Sequence, residues 1–234
     1  GLGDAPVLDG AFAASADNLA ALAVFADVDL PVDLSALGSF ETAGKASGDL
    51  ASPVLTFDTL KLDGVLADLG YVGGISLANG PVLDGRFTMD ATDLGRYILA
   101  LGIDLPAASV LETLDLSTDV SGGLETLSLS NANIQHSGSL LDASFAGDLA
   151  LGGSMSGELS ASSEDLRGLL TTAGVELSPG DTLRRFSFSA KPTGTLNTLS
   201  LAELDLSLDD ITATGSGGVD LSGGRPKLTA ALSM

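Results

Sequence analysis

Apolar and polar residues alternate along most of this chain. From Phe186 it reads Phe186-Ser-Phe188-Ser, and after Gly194 it reads Leu199-Ser-Leu201 and then Leu204-Asp-Leu206-Ser-Leu208. Two upstream stretches follow the same plan. One is Leu114-Asp-Leu116-Ser, then Leu127-Ser-Leu129 and Ala132-Asn-Ile134; the other is Phe40, then Leu55-Thr-Phe57 and Leu60-Lys-Leu62. A period of two predicts strands whose Leu and Phe share one face and whose Ser, Thr and Asp share the other. Glycines at 48, 122–123 and 194 predict tight turns between them. In all three stretches the alternation slips by one residue, between Phe57 and Leu60, Leu129 and Ala132, and Leu201 and Leu204. An uncorrected slip would turn the apolar set to the wrong face. Bulges are therefore expected near Asp58–Thr59, Ser130–Asn131 and Ala202–Glu203.

Three segments change to a helical period. Apolar residues recur at i, i+3, i+4 and i+7 after Asn18, Asp93 and Asp165, each of which stands where a side-chain oxygen can cap a free backbone N–H. The segments end in Val28-Asp-Leu-Pro31, Ile103-Asp-Leu-Pro106 and Val175-Glu-Leu-Ser-Pro179, with Gly102 and Gly174 suited to a left-handed helix end.

Helix and strands together recur. Pro6-Val-Leu-Asp-Gly returns as Pro81-Val-Leu-Asp-Gly, more weakly at Ser154, and again as Pro226-Lys-Leu; the starts are 81 − 6 = 75, 154 − 81 = 73 and 226 − 154 = 72 residues apart. The expected organisation is one continuous repeat array over 1–234, with repeats at 6–80, 81–153 and 154–225 and the start of another at 226–234. The chain opens with Gly inside a repeat and stops at the start of one, so a fragment of a longer array is expected.

Each repeat offers about four strands and one short helix. A helix ~10 Å wide cannot cover four strands spanning ~19 Å. The apolar face must then curl on itself, pack on another sheet, or hold something else. Units above 70 residues are too long for the coils of a parallel solenoid, and glycine turns favour antiparallel meanders. The expected fold is mainly β with a few short helices: an elongated, curved antiparallel sheet forming a hydrophobic groove.

Composition narrows the chemistry. Ten basic against 31 acidic residues give a net charge of −21, which argues against nucleic-acid and anionic-lipid-headgroup partners and for a solvated outer face. The absence of Cys removes disulfides, thiolate metal sites and a Cys nucleophile. His136 is the sole histidine and stands, by the 72-residue offset, where the next repeat has Leu208, so it reads as a strand-end residue near the turn at Gly138. Ser is abundant, but it lies on the alternating polar face, away from the sole His that a triad would need. Asp209 and Asp210 are adjacent on a strand and point to opposite faces, which suits acid–base work poorly. Gly215-Ser-Gly217-Gly218 lacks the Lys and helix of a phosphate loop. No enzyme activity, cofactor or metal is expected. Two Tyr and no Trp argue against a glycan-binding cleft.

The third repeat carries a family resemblance. Asp165-Leu-Arg-Gly-Leu-Leu, Gly174-Val-Glu-Leu, Leu183-Arg-Arg-Phe-Ser-Phe-Ser, Gly194-Thr-Leu, Leu208-Asp-Asp-Ile-Thr-Ala-Thr-Gly, Val219-Asp-Leu-Ser-Gly and Arg225-Pro-Lys-Leu, in this order and spacing, resemble the helix-then-strands element of the AsmA family of Gram-negative envelope proteins. The likeness is strongest in 165–234 and 93–134. It implies a periplasmic protein held in the inner membrane by an N-terminal helix that this sequence lacks. It also implies a long curved sheet with a hydrophobic groove, similar to eukaryotic bridge-like lipid-transfer proteins, and a part in phospholipid transport and outer-membrane biogenesis. The implied partners are phospholipid acyl chains and inner- and outer-membrane envelope proteins.

The residues expected to line the groove are Phe57, Leu62, Phe87, Leu114, Leu116, Leu127, Leu129, Phe186, Phe188, Leu199, Leu201, Leu204 and Leu206. About 13 strands at ~4.8 Å would extend it roughly 60 Å. The competing reading is a structural or adhesive β-repeat protein of the cell envelope whose apolar faces close on one another.

Overall fold

The structure, a computed structural model, describes residues 7–19, 38–50, 52–78, 80–105, 108–123, 125–151, 153–178, 183–195, 197–222 and 227–234. The alternating stretches form thirteen strands. In chain order these are β1 (Val7–Ala16), β2 (Ser39–Asp49), β3 (Ser52–Asp63), β4 (Ala67–Ser76), β5 (Val82–Ala91), β6 (Thr113–Gly123), β7 (Ser128–Ser137), β8 (Asp142–Ala150), β9 (Ser154–Ser163), β10 (Phe186–Thr195), β11 (Thr198–Leu208), β12 (Ile211–Asp220) and β13 (Lys227–Ser233). Each strand pairs antiparallel with its chain neighbours, so spatial order equals sequence order, and the sheet stays open with β1 and β13 at its edges. Such a meander needs only local connections, which is why short glycine-bearing turns suffice to build it.

Among the described residues two α-helices interrupt the meander at the same strand end: α1 (Leu94–Ala100) between β5 and β6, and α2 (Leu166–Thr172) between β9 and β10. Their starts differ by 166 − 94 = 72 residues. The Asp93 carboxylate accepts the Arg96 N–H at 3.0 Å, and that of Asp165 accepts the Gly168 N–H at 2.9 Å. Gly102 and Gly174 take the left-handed conformation, with φ of 79° and 82°, just past the helix ends. The helix expected after Asn18 lies, beyond Leu19, outside the described residues.

The slips in alternation are bulges. Phe57 opposes Gly73 but Leu60 opposes Tyr71; Leu129 opposes Leu149 but Ala132 opposes Gly147; Leu201 opposes Gly217 but Leu204 opposes Gly215. At each point two residues stand against one, and the extra residue restores the apolar set to its face. Asn131 and Glu203 take up the turn in left-handed backbone, at φ 51° and 49°. Opposite two of the bulges a buried threonine hydroxyl donates to a bulge carbonyl, Thr42 to Thr59 O at 3.2 Å and Thr118 to Ser130 O at 3.1 Å. In the third repeat Ala190 takes the threonine's place, and Lys191 pairs with Glu203 across the bulge at 2.5 Å.

Glycines let the sheet bend toward its apolar side. Rings of Phe12 on β1 and Phe57 on β3 lie 5.5 Å apart although β2 runs between them. They meet over Gly44, where an added Cβ would come within 2.9 Å of the Phe12 ring. Gly73 and Gly85, opposed on β4 and β5, are closer still: a Cβ on Gly73 would lie 2.4 Å from Gly85 Cα and from Asp84 O. We predict that Gly73→Ala lowers stability by about 1–3 kcal/mol, since backbone must move and φ is +148°. Gly10→Ala, with nothing within 4 Å of the new methyl, should change it by less than about 0.5 kcal/mol; urea unfolding of both variants checks the pair.

Candidate functional site: the apolar face of the sheet

Residues opposed across an antiparallel ladder project to the same face, so the register traces rows across the sheet. One row starts at Phe12 and passes through Gly44, Phe57, Gly73, Gly85 and Val120. It continues through Leu129, Leu149, Met155, Gly194, Leu199, Val219 and Leu228, crossing all thirteen strands without a polar side chain. A second row runs Phe40, Leu62, Leu69, Met89, Leu116, Ile134, Phe145, Leu159. A third, nearer the helix end, runs Ala67, Ala91, Leu114, His136, Ala143, Ala161, Phe188, Leu206.

Most of the expected lining falls on these rows. Phe57, Leu129 and Leu199 sit in the first, Leu62 and Leu116 in the second, and Leu114, Phe188 and Leu206 in the third. Phe87 opposes Tyr71, Phe186 opposes Leu208, Leu201 opposes Pro192 and Leu204 opposes Gly215, all on the same face. Leu127 differs: it lies in the turn before β7, and its carbonyl accepts the Leu151 N–H at 2.8 Å. Alternation alone left unselected Tyr71 and Phe145, which are among the best-buried apolar side chains at 7% and 8% exposure. The signal was there in Leu69-Gly-Tyr71-Val-Gly73 and Ala143-Ser-Phe145-Ala-Gly147, but glycine dilutes the period.

The face is half covered. Leu204 is buried, and the other twelve lining residues are half-buried. The best cover comes from α1, whose Tyr97 packs with Ala67 and Ala91, and Leu69, Met89, Leu94, Leu101 and Leu114 pack against that cluster. Burial raises the pKa of the Tyr97 hydroxyl. By contrast α2 buries none of its residues. The opposite face is polar, and Asp63, Asp68, Asp90 and Asp115 stand directly opposite one another across β3 to β6. Like charges so placed repel and keep that face solvated. Chemically, the apolar side offers dispersion contacts and exclusion of water.

The titratable groups at the helix end have structural partners. His136, 7% exposed, accepts the Glu112 N–H at Nε2, 3.1 Å away. The Glu112 carboxylate accepts from the Ser139 hydroxyl and from its N–H at 2.9 Å, and these bonds hold its pKa below the usual carboxylate range. In the third repeat Arg184 stands at the Glu112 position, and its N–H goes to Asp209, whose carboxylate also accepts from Leu183 and Arg185 at 2.8 and 2.9 Å. The N–H groups of Arg185, Arg184 and Leu183 lower the Asp209 pKa. Asp209 and Asp210 thus lie in the turn between β11 and β12 rather than on a strand as expected, and the Asp209 carboxylate caps three backbone N–H groups. The match of His136 with Leu208 does not extend to the next position: Leu208 is followed by Asp209, which supplies the acceptor in its repeat, and His136 by Ser137.

No protein-family model, curated protein or solved structure matches the chain.

We predict that His136→Leu lowers stability by about 1–3 kcal/mol in urea unfolding, because the Glu112 N–H loses its acceptor. A second expectation concerns acid. Glu112, Asp209 and Asp220 all have pKa values lowered in the folded state. The stability they contribute is present above the unfolded carboxylate range and is lost as pH falls through the folded values. Asp209→Asn should therefore flatten the acid limb of a stability-versus-pH curve and leave its slope above pH ~6 unchanged.

Proposed function

We propose that the chain is a lipid-binding groove protein that holds acyl chains along the apolar face of its sheet, and that it acts as a carrier rather than an enzyme. The observation that supports this best is the row from Phe12 to Leu228: apolar or glycine at every strand, thirteen strands long, and partly exposed along most of its length. Burying such a face is worth about 25 cal/mol for each Å² removed from water, so it favours any apolar occupant that fits. A 16-carbon chain at ~0.8 kcal/mol per methylene could gain roughly 12 kcal/mol before ordering costs. Leu, Val, Ala and Gly give a lining without hydrogen-bonding demands, which suits chains that exchange or slide.

The resemblance to the AsmA family supports placing this groove in the Gram-negative periplasm, on a protein tied to the inner membrane by a segment outside this sequence. It also supports phospholipid as the cargo and outer-membrane biogenesis as the process, with envelope proteins of both membranes as partners.

The test is lipid carried through purification. Wild-type chain is extracted after gel filtration and its lipids are counted by mass spectrometry, beside Leu201→Asp and Ser200→Asp. Leu201 faces the apolar side and Ser200 the polar side of the same strand. The expected result is phospholipid in stoichiometric amount on wild type and Ser200→Asp, and at most about half as much on a folded Leu201→Asp, because a lone carboxylate there costs several kcal/mol. Wild type free of lipid would overturn the reading in favour of a structural or adhesive envelope array.

A further inference from the structure

One edge of the sheet has the form of a strand made for two neighbours. By the repeat, β13 corresponds to β5 and β9, and each of those is paired on both sides, β5 with β4 and β6, β9 with β8 and β10. β13 pairs with β12 alone. All seven of its residues are exposed, Leu228 at 76% and Leu232 at 45%. Edge strands that stay single are guarded by charge, proline or bulges. From Leu228 to Met234 the chain has no charged residue, no proline and no glycine.

The two edges differ in charge. In the paired stretch of β12 and β13 the charged residues are Asp220 and Lys227, which stand opposite each other. In the paired stretch of β1 and β2 they are Asp9, Glu41 and Asp49 against Lys45. On a chain of net charge −21, the β13 edge is therefore neutral and the β1 edge acidic. Two such chains repel, and they meet least repulsion at β13. Strand direction then selects the geometry. Thirteen strands, each antiparallel to its neighbours, leave β1 and β13 running the same way. Joining β13 to β1 of another copy, with the apolar faces on one side, would make a parallel pair. A two-fold axis perpendicular to the sheet at β13 makes an antiparallel pair and still keeps both apolar faces on one side.

We infer that two copies of this chain associate through β13, strand against strand about a two-fold axis at Ala230. This register sets Leu228 opposite Leu232 of the partner subunit, Thr229 opposite Ala231 of the partner subunit and Lys227 opposite Ser233 of the partner subunit, so no like charges meet. The apolar row that reaches Leu228 then continues into the second copy. A strand edge of seven residues covers less than the ~1,200 Å² of a stable interface, so the dimer is weak and concentration-dependent.

The experiment is sedimentation velocity on the whole chain from ~10 μM to ~500 μM, at ~0.1 M and ~0.5 M NaCl, a range suited to weak interfaces between like-charged proteins. Wild type is compared with Thr229→Glu/Ala231→Glu on β13 and Ala11→Glu/Ala13→Glu on β1. In the β13 variant each new carboxylate would face one from the other copy, while within its own copy it faces Gly218 or Ser216. The expected result is a reversible shift of wild type toward twice 23.3 kDa, stronger at the higher salt because repulsion is screened. Association should weaken by ~tenfold or more in the β13 variant and stay unchanged in the β1 variant. Wild type monomeric throughout, growth beyond a dimer, or a β13 variant that associates like wild type would overturn the inference. Should that variant fail to fold, Ala230→Cys decides, since the chain has no other cysteine. Mild oxidation is expected to give a covalent dimer from Ala230→Cys and not from Ala13→Cys on β1, and equal yields from the two would overturn the pairing.

Discussion

Everything in this structure depends on keeping one face of a thirteen-stranded ladder apolar. Side-chain direction flips with every residue, so a single uncompensated insertion in any strand would bring Leu to the polar side and Asp to the apolar side. The chain meets this constraint with bulges at equivalent places in three repeats. The two residues of each bulge are never the same pair: Asp58-Thr59, Ser130-Asn131 and Ala202-Glu203. What recurs is the backbone outcome, two residues against one, with the next apolar residue returned to its row. The side chains that stabilise it vary with the site. Asn131 Nδ2 donates to Asp119 Oδ2 at 2.9 Å where, 72 residues on, Glu203 and Lys191 form an ion pair.

The same economy appears where the helices join. In the second and third units one backbone N–H just before the second strand is met by a side-chain acceptor. His136 supplies it to Glu112 and Asp209 supplies it to Arg184. The geometry is common and the chemistry is not: a neutral imidazole on one side and a carboxylate held ionised by three N–H groups on the other. Equivalent repeats can in this way share a fold and supply the same acceptor with different side chains.

Curvature and cover then decide what the face is for. Glycines at 44, 73 and 85 let rings lean inward and backbones approach, which bends a sheet that would otherwise lie flat. A short helix packs over one end of the face, and most of the remaining lining residues stay partly exposed. A face so extended is hard to sustain in water unless something apolar spends time on it.

Much of this was legible from residue order. Strict alternation in Phe186–Ser189 and Leu204–Leu208 determined strands and faces, because period two has one structural meaning over short runs with glycine at their ends. Asp93, Gly102, Asp165 and Gly174 marked helix ends, because caps act within a few residues. The bulges were legible as well, since a slip of one residue is a local defect in a local pattern. Contacts between strands were not. Tyr71 and Phe145 owe their burial to the glycines beside them in space, and the Glu112 N–H finds His136 24 residues away through the β6–β7 register. Nor could composition say whether one helix per unit would cover the face. That depended on where α1 and α2 settle, and only the tertiary structure places Tyr97 against Ala67 and Ala91 while leaving α2 unburied.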